Sequence, residues 1–468
     1  MGSFLCVLLS LIFALLSEEH AHWFMIPITL CALLLMQDVA KWLSGKYDLF
    51  DPLGIIAVLG ILFFYLNPIL HVYWDVWMLY IHPPPDWRPW LGYMGVLNLL
   101  GLLIYRLITS RSISKHIRIK THWKINNNKS FLFIYVALAV TLSVQLYIFA
   151  SFGGVKGYIN AFDAKVGAFD GMGLLFMISE SFSILLAIFF ALLTSRFRQL
   201  RSWQAIVFAF IIFLMFAILF GGLRGSRSNL IWQCFWFAGI VHLWIRPINK
   251  KTVAIALVFL FGFMYAYGAY KFYGLKAFEL AKDPGGMREM ADASGRTPKR
   301  TLLGDMGRSD VQAYVLYLLS GDDCNYRYKL GSTYLSGLTI LIPRPIRPKL
   351  YGKSEAGFEL MSGSPSLGER SSRVYGLAGE AMLNFGPTGI PFAFALFSWI
   401  IAKCRALMMR LETGDSRFLF YPFIVNILFQ IFPGDFGMNI FFILKNGFIP
   451  FIVLWSYSHI IVLKPSVA

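Results

Sequence analysis

Three short segments hold the residues of this chain best suited to chemistry, and two of them are built on arginine. The first, GGLRGSR over 221–227, sets Arg224 and Arg227 three residues apart, directly behind the apolar run from Ile206 to Phe220. On a helical turn two such guanidinium groups converge on one anion. A cation at membrane depth costs about 2.5 to 3.5 kcal/mol on insertion scales, so it generally has a partner or a function there. A snorkelling anchor at the membrane surface is the other reading of the same pair. The second segment, LIPRPIRPK over 341–349, carries Arg344, Arg347 and Lys349 on a path that Pro343, Pro345 and Pro348 keep extended. Guanidinium meets phosphate oxygens two at a time and stays charged at any relevant pH, which suits a pyrophosphate clamp. A proline-stiffened crossing between two short helices explains the prolines as well. The third, GLAGEAMLNFGPTG over 376–389, puts Glu380 and Asn384 four apart, on one helical face. Gly379, Gly386 and Gly389 permit close packing or turns. Its carboxylate either faces the arginines or caps an interfacial helix.

These segments need elements to position them, and composition says what those are. Hydrophobic residues make up 57% of the chain and charged residues only 14%, with a mean hydropathy of +0.62, which lies outside the soluble range. A bilayer-crossing helix takes about 20 apolar residues. By that measure about twelve candidates run along the chain, at 3–17, 22–37, 52–71, 90–108, 131–151, 173–194, 203–222, 228–246, 252–270, 381–402, 417–433 and 440–463. The expected fold is an all-α polytopic membrane protein: nine transmembrane helices over 1–270, a loop domain of short helices over 271–380, and three more transmembrane helices over 381–468. The apolar start from Phe4 to Leu16 lacks a basic leader and more spans follow, so an uncleaved first helix is expected. The first two segments are short enough to form a hairpin that dips instead of crossing.

Most of the net charge of +17 sits in short connections beside apolar spans, where it sets topology and does not point to nucleic acid. Arg106, Arg111, Lys115, Arg118, Lys120, Lys124 and Lys129 crowd the fourth connection. Arg196, Arg198 and Arg201 lie in the sixth, Arg246, Lys250 and Lys251 in the eighth, and Lys403, Arg405 and Arg410 in the tenth. All four belong in the cytoplasm with both termini, which turns 221–228 and the long 271–380 loop outward. Trp74, Trp77, Trp87 and Trp90 fit an outer aromatic belt. The loop holds sixteen basic and twelve acidic residues, so Arg288, Arg296, Arg300, Arg308 and Arg327 are assigned to a solvated surface whose charges largely cancel. Five scattered cysteines and no histidine at ligand spacing support neither a disulfide framework nor a zinc site.

Taken in order, GGLRGSR at a helix end, IPRPIRPK in a long loop and GEAMLNFGPTGI before the next span resemble the bacterial O-antigen and oligosaccharide repeat-unit polymerases of the Wzy type. The resemblance covers about residues 205 to 400. It implies a reaction at the periplasmic face of the bacterial inner membrane between a lipid-linked oligosaccharide donor and a lipid-linked acceptor. A non-reducing-end hydroxyl of the incoming unit attacks the anomeric carbon of the growing glycan and expels undecaprenyl diphosphate. No cofactor, metal or nucleotide sugar is implied. The partners implied are the two lipid-linked substrates and membrane lipid, with a chain-length regulator and a flippase beyond them.

Under that resemblance Arg224, Arg227, Arg344 and Arg347 hold the diphosphate, where charge grows as the glycosidic bond breaks. Arg224 and Arg344 then act in catalysis. The loop contains no histidine. Glu380 is the first candidate for base or acceptor-orienting group, Glu369 the second and Asp305 the third. Orientation and anion binding without any base are the alternative.

Two rival functions use similar elements. An O-antigen ligase-like transferase shares the layout but is associated with a loop histidine, and the 271–380 loop has none. A transporter or flippase of lipid-linked sugars predicts ionisable groups inside spans; the mid-span polar candidates are few, Glu180, Gln204, Gln233, Asn426, Gln430 and Lys445, and several sit near span ends.

Overall fold

The computed structural model of the chain describes residues 2–16, 21–78, 81–112, 121–125, 127–164, 169, 171–224, 227–253, 255–256, 259, 262–263, 285, 297–322, 324–342, 346–362, 373–412 and 414–462. Helix dominates. In chain order the helices used below are α1 (Gly2–Leu16), α2 (Met25–Leu43), α3 (Pro52–Ile61), α4 (Asn67–Tyr73), α5 (Arg88–Ser112), α6 (Asn127–Ser151), α7 (Val155–Ala164), α8 (Gly173–Arg196), α9 (Trp203–Phe220) and α10 (Arg227–Ile240). They continue as α11 (Pro298–Met306), α12 (Ser309–Leu319), α13 (Ser332–Leu338), α14 (Lys353–Ser362), α15 (Gly376–Phe385), α16 (Gly389–Met408), α17 (Tyr421–Gln430), α18 (Phe436–Phe442) and α19 (Phe448–Tyr457). Two short strands, β1 (Thr121–Ile125) and β2 (Ser458–Val462), pair antiparallel. They depart from the purely helical expectation at residues rich in β-branched and aromatic side chains, Trp123, Ile125, Ile460, Ile461 and Val462.

Among the described residues eight helices are long and apolar enough to cross a membrane: Met25–Leu43, Pro52–Tyr73, Arg88–Arg111, Ser130–Ser151, Gly173–Arg196, Trp203–Arg224, Gly389–Met408 and Phe436–Tyr457. The chain is therefore an α-helical polytopic membrane protein. Four of the twelve expected spans are absent from that set. Cys6–Leu16 and Tyr421–Gln430 are apolar but short, the 228–246 segment is α10 followed by a π turn at Val241–Ile245, and most of 252–270 lies outside the described residues. The span expected from residue 381 begins instead at Gly389. Gly386, at φ +71°, ends α15, and Pro387 cannot donate to a continuing helix, so a separate helix precedes the span.

The chain folds as two compact units. Unit 1 comprises Met1–Ile117, Arg288–Ala406 and Ile427–Phe441. Within it α2 packs on α1, α3 and α5, while α12 lies against α4, α5, α14 and α15. Phe64, Phe394 and Phe432 meet ring to ring at its centre, and Phe63 and Phe397 close on Phe432. A Cβ at Gly101 would stand 2.5 Å from the Phe394 ring, so only glycine lets α5 and α16 approach this closely. At one end of these helices Arg106 pairs with buried Asp38, and Arg405 reaches Asp51 at 2.8 Å. Tyr47 links the two pairs, donating to Asp38 at 3.0 Å while the Arg405 guanidinium covers its ring.

Unit 2 comprises Arg118–Met287, Leu407–Asn426 and Phe442–Ala468. Here α8 is the hub, packed on α6, α9 and α10. Aromatic rings fill its interior: Phe182 against Phe216 and Phe220, Phe213 against Phe237, and Trp236 stacked on Phe423. Buried Trp236 satisfies its indole N–H on the Leu419 carbonyl at 2.8 Å.

Candidate functional site

Unit 1 builds a charged cluster around Glu380. Gly376 begins α15 at φ +68°, and a Cβ there would stand 2.4 Å from the Phe432 carbonyl oxygen, so glycine alone lets α15 start so close to that turn. The next turn of α15 presents Glu380, 2% exposed, to α13 and to the start of α18. Thr333 Oγ1 donates to one of its carboxyl oxygens at 2.8 Å and the Phe436 N–H to the other at 2.6 Å. Asn384, one turn further on, donates to Thr333 Oγ1 at 2.7 Å and to the Glu380 carbonyl at 2.8 Å, and accepts from the Gly331 N–H at 3.0 Å. The predicted shared face of Glu380 and Asn384 thus exists, and it is buried.

Beside Glu380 lies a second carboxylate, Asp435, with no exposed surface. It accepts the backbone N–H groups of Tyr375 at 2.8 Å and Gly376 at 3.2 Å, and the Lys353 ammonium stands 2.7 Å away. Lys353 also donates to the Arg373 carbonyl at 2.6 Å and covers the Tyr375 ring. The two carboxylates are therefore unequal: Asp435 has a cation of its own, Glu380 only neutral donors. Burial, and then the charge of Asp435, push the Glu380 carboxyl up from its ordinary 4.5 to about 7. Burial and these same carboxylates raise the neighbouring Tyr334 phenol.

Arg308, the residue before α12, belongs to the same cluster. Its Nη1 donates to the carbonyls of Gly304 and, at 2.6 Å, Gly307, while its buried Nε donates to nothing. Burial lowers its pKa, and the charges of Asp310, Asp435 and Asp305 oppose that. One turn later Gln312 donates to the Tyr375 carbonyl at 3.0 Å, tying α12 to the turn that carries Asp435's donors.

Unit 2 holds a different cluster, among helices of membrane-spanning length. Glu180 on α8, 2% exposed, pairs with Arg224 from the short 3-10 turn Gly222–Arg224 that follows α9. Lys445, on the π turn Ile443–Gly447, reaches the same carboxylate at 2.7 Å, and Asn229 on α10 donates to it at 2.7 Å. The Arg224 guanidinium lies 3.7 Å from the centre of the Phe176 ring. Three other segments thus converge on one carboxylate of α8, with Arg224 gripped between an acid and an aromatic face.

The sequence-predicted residues divide accordingly. Glu380 and Arg224 are each the centre of a cluster, in different units. Arg347 in unit 1 spends its guanidinium on the carbonyls of Ile340 and Ile342, at 3.1 to 3.2 Å, where it caps the turn that closes α13. Arg227 opens α10, and its side chain lies outside the described residues, as do Arg344 and Glu369 entirely. Asp305 is exposed on α11. The structure adds Lys353, Asp435, Thr333 and Arg308 to one cluster and Glu180, Lys445 and Asn229 to the other. Glu180 and Lys445 are visible in the sequence as charges inside apolar runs, whereas the sequence expectation places Arg308 on a solvated surface and the structure places it beside Asp435. Among the described residues no three His, Cys, Asp or Glu side chains gather as metal ligands.

No family model matches the chain, and comparison with curated proteins and with solved structures finds no match either.

Proposed function

We propose that this chain is a polysaccharide polymerase that joins undecaprenyl-diphosphate-linked oligosaccharide repeat units at the periplasmic face of the bacterial inner membrane. The observation that carries the reading is the state of Glu380. This carboxyl belongs to one of the three segments that resemble the repeat-unit polymerases; it is buried beside Asp435 with only neutral donors, which pushes its pKa up to about 7, where a general base at neutral pH is most effective. The charged pair Lys353–Asp435 beside it keeps one carboxylate satisfied and leaves the other for proton transfer.

In the reaction the acceptor hydroxyl gives its proton to Glu380 as its oxygen bonds to the donor's anomeric carbon. The bond from that carbon to the diphosphate oxygen breaks, and its electron pair leaves with undecaprenyl diphosphate. Glu380 then returns the proton to water. Arg224, Arg227, Arg344 and Arg347 are the candidates for the positive charge on which the lipid diphosphates rest; Arg224 is held by Glu180 and Phe176. The topology that goes with this reading has about twelve spans and both termini in the cytoplasm, and the 271–380 segment outside. Lipid-linked donor and acceptor are the partners, joined in the cell by a chain-length regulator and a flippase.

One observation favours a second reading, transport of a lipid-linked sugar: Glu180 and Lys445 form an ion pair 2.7 Å long on helices of membrane-spanning length, where ionisable groups mark substrate paths. A deletion strain separates the functions. Loss of a polymerase leaves core plus one repeat on the gel, loss of a ligase leaves unattached lipid-linked polymer, and loss of a flippase leaves no repeat on the outer side. In the complemented strain Arg224→Ala and Glu380→Gln yield single-repeat products if the polymerase reading holds; normal ladders from well-expressed variants would remove it.

A further inference from the structure

The polymerase reading makes a geometric demand that the predicted arginines do not meet within one unit. The hydroxyl that loses a proton to the base and the diphosphate that departs both touch the same anomeric carbon, so the base and a cation for the leaving group belong within about one sugar ring of each other. Arg224 is in unit 2, Glu380 in unit 1. Within unit 1, the described part of the LIPRPIRPK segment turns its guanidinium, Arg347, onto its own backbone carbonyls.

Two other cations of unit 1 neighbour Asp435, the carboxylate beside Glu380. Lys353 touches Asp435 at 2.7 Å and keeps 24% of its side chain exposed, while Asp435 beneath it has none. Arg308 is close enough to Asp435 for their charges to interact and is partly exposed too. Its guanidinium is held still by the Gly304 and Gly307 carbonyls, which accept from one nitrogen and contribute no charge. Among the described residues no carboxylate lies within ion-pairing distance of it: Asp435 belongs to Lys353, and Asp310 faces His71 at 3.9 Å. A guanidinium held at one nitrogen, with its Nε unused, and a partly exposed ammonium that neighbours the same Asp435 carboxylate are the groups that suit a doubly charged, multi-oxygen anion. Single point charges would hold a monoanion without fixing its orientation.

We propose that Arg308, together with Lys353, seats the diphosphate of the lipid-linked donor beside Glu380, so that leaving-group binding and proton acceptance occur in one cluster of unit 1. This rests on the polymerase reading for the identity of the anion.

The test uses the full chain in phosphatidylcholine nanodiscs, titrated with radiolabelled undecaprenyl diphosphate, for wild type, Arg308→Gln and Arg308→Lys. The proposal expects wild type to bind, Arg308→Gln to bind at least tenfold more weakly at an unchanged melting temperature, and Arg308→Lys to fall between them. Phosphatidylglycerol competing as well as the diphosphate itself would assign the site to bulk lipid headgroups and overturn the proposal. Equal binding by wild type and Arg308→Gln overturns it too, yet leaves the polymerase reading standing. No binding by wild type overturns both. Should Arg308→Gln fail to fold, Arg308→Lys decides, because replacing the guanidinium fork by a point charge must cost several-fold in affinity; unchanged binding sinks the proposal.

Discussion

Lys353 gives its ammonium to Asp435, at 2.7 Å, and not to Glu380. That choice makes two neighbouring buried carboxyls chemically different. Asp435 is saturated by a cation and two backbone N–H groups, and Glu380, facing that negative charge with a hydroxyl and one N–H as donors, keeps a proton near neutrality.

If Glu380 accepts the acceptor's proton, polymerisation rate rises with pH through about 7, because only the carboxylate can take a proton. Glu380→Gln abolishes that limb and lowers the rate about 100- to 10,000-fold, the usual range for a general base. A pH–rate profile of the reconstituted protein checks both. A Gln variant with near-normal rate leaves Glu380 a structural role only.

Stability carries the opposite sign. The folded Glu380 carboxyl titrates at about 7 and the ordinary one at 4.5, so between these values the native state binds a proton that the unfolded chain has lost. This group's contribution therefore falls as pH rises from about 4.5 to about 7, and the penalty persists above it. Glu380→Gln should raise the melting temperature at pH 8 while leaving it nearly unchanged at pH 4. A lower melting temperature at pH 8 contradicts the assignment.

Lys353 tunes the same group, since its charge opposes the rise in the Glu380 pKa. Lys353→Met should move the rising limb of the pH–rate profile to higher pH, in addition to slowing the reaction. A limb that stays in place, or moves to lower pH, would show that Lys353 does not act on Glu380.

In unit 2, Glu180→Ala leaves Arg224 and Lys445 without the carboxylate they share. Breaking a buried ion pair from one side costs about 3 to 5 kcal/mol. Glu180→Gln, which keeps the shape and the acceptor for Asn229, should lose less. Thermal unfolding followed by size-exclusion chromatography ranks the three proteins, and equal stabilities would mean that the pairs contribute nothing.

Much of this fold was legible from hydrophobic runs, and what was missed has identifiable physical causes. The span at 203–222 was readable because it is apolar almost without interruption and Ser202 caps it, accepting from Ala205 N–H at 3.3 Å. The start of α16 was misplaced because residues 381–385 and 389–402 are equally apolar, and hydropathy alone does not register the single φ of Gly386 that separates them. Glu380 stood out as a lone carboxylate in a glycine-rich segment. Its neighbours did not: Thr333, Lys353 and Asp435 lie in three other segments, and only tertiary packing puts Thr333 on its carboxyl and the Lys353–Asp435 pair beside it. Arg224 was legible as a cation needing a partner, and that partner, Glu180, sits on a helix before it in the chain. Arg308 looked like one of many solvated loop arginines; its burial depends on α12 docking against α5 and α15, which no local pattern encodes.

The sidedness of the Glu380 unit can be read by labelling. Ile346, 73% exposed in the proline-arginine segment, is a suitable reporter. In a cysteine-free background Ile346→Cys should react with a membrane-impermeant maleimide added to intact spheroplasts, whereas reaction only after lysis would put the segment in the cytoplasm and remove the periplasmic assignment.

The most direct measurement mixes the purified full-length chain in liposomes with a single synthetic undecaprenyl-diphosphate-linked repeat unit and counts products. The account predicts a ladder of lipid-linked oligomers, one undecaprenyl diphosphate released per new glycosidic bond, and no ladder from Glu380→Gln at pH 7. Intact repeat units after prolonged incubation with folded wild-type protein, or a ladder that Glu380→Gln makes equally well, would contradict it.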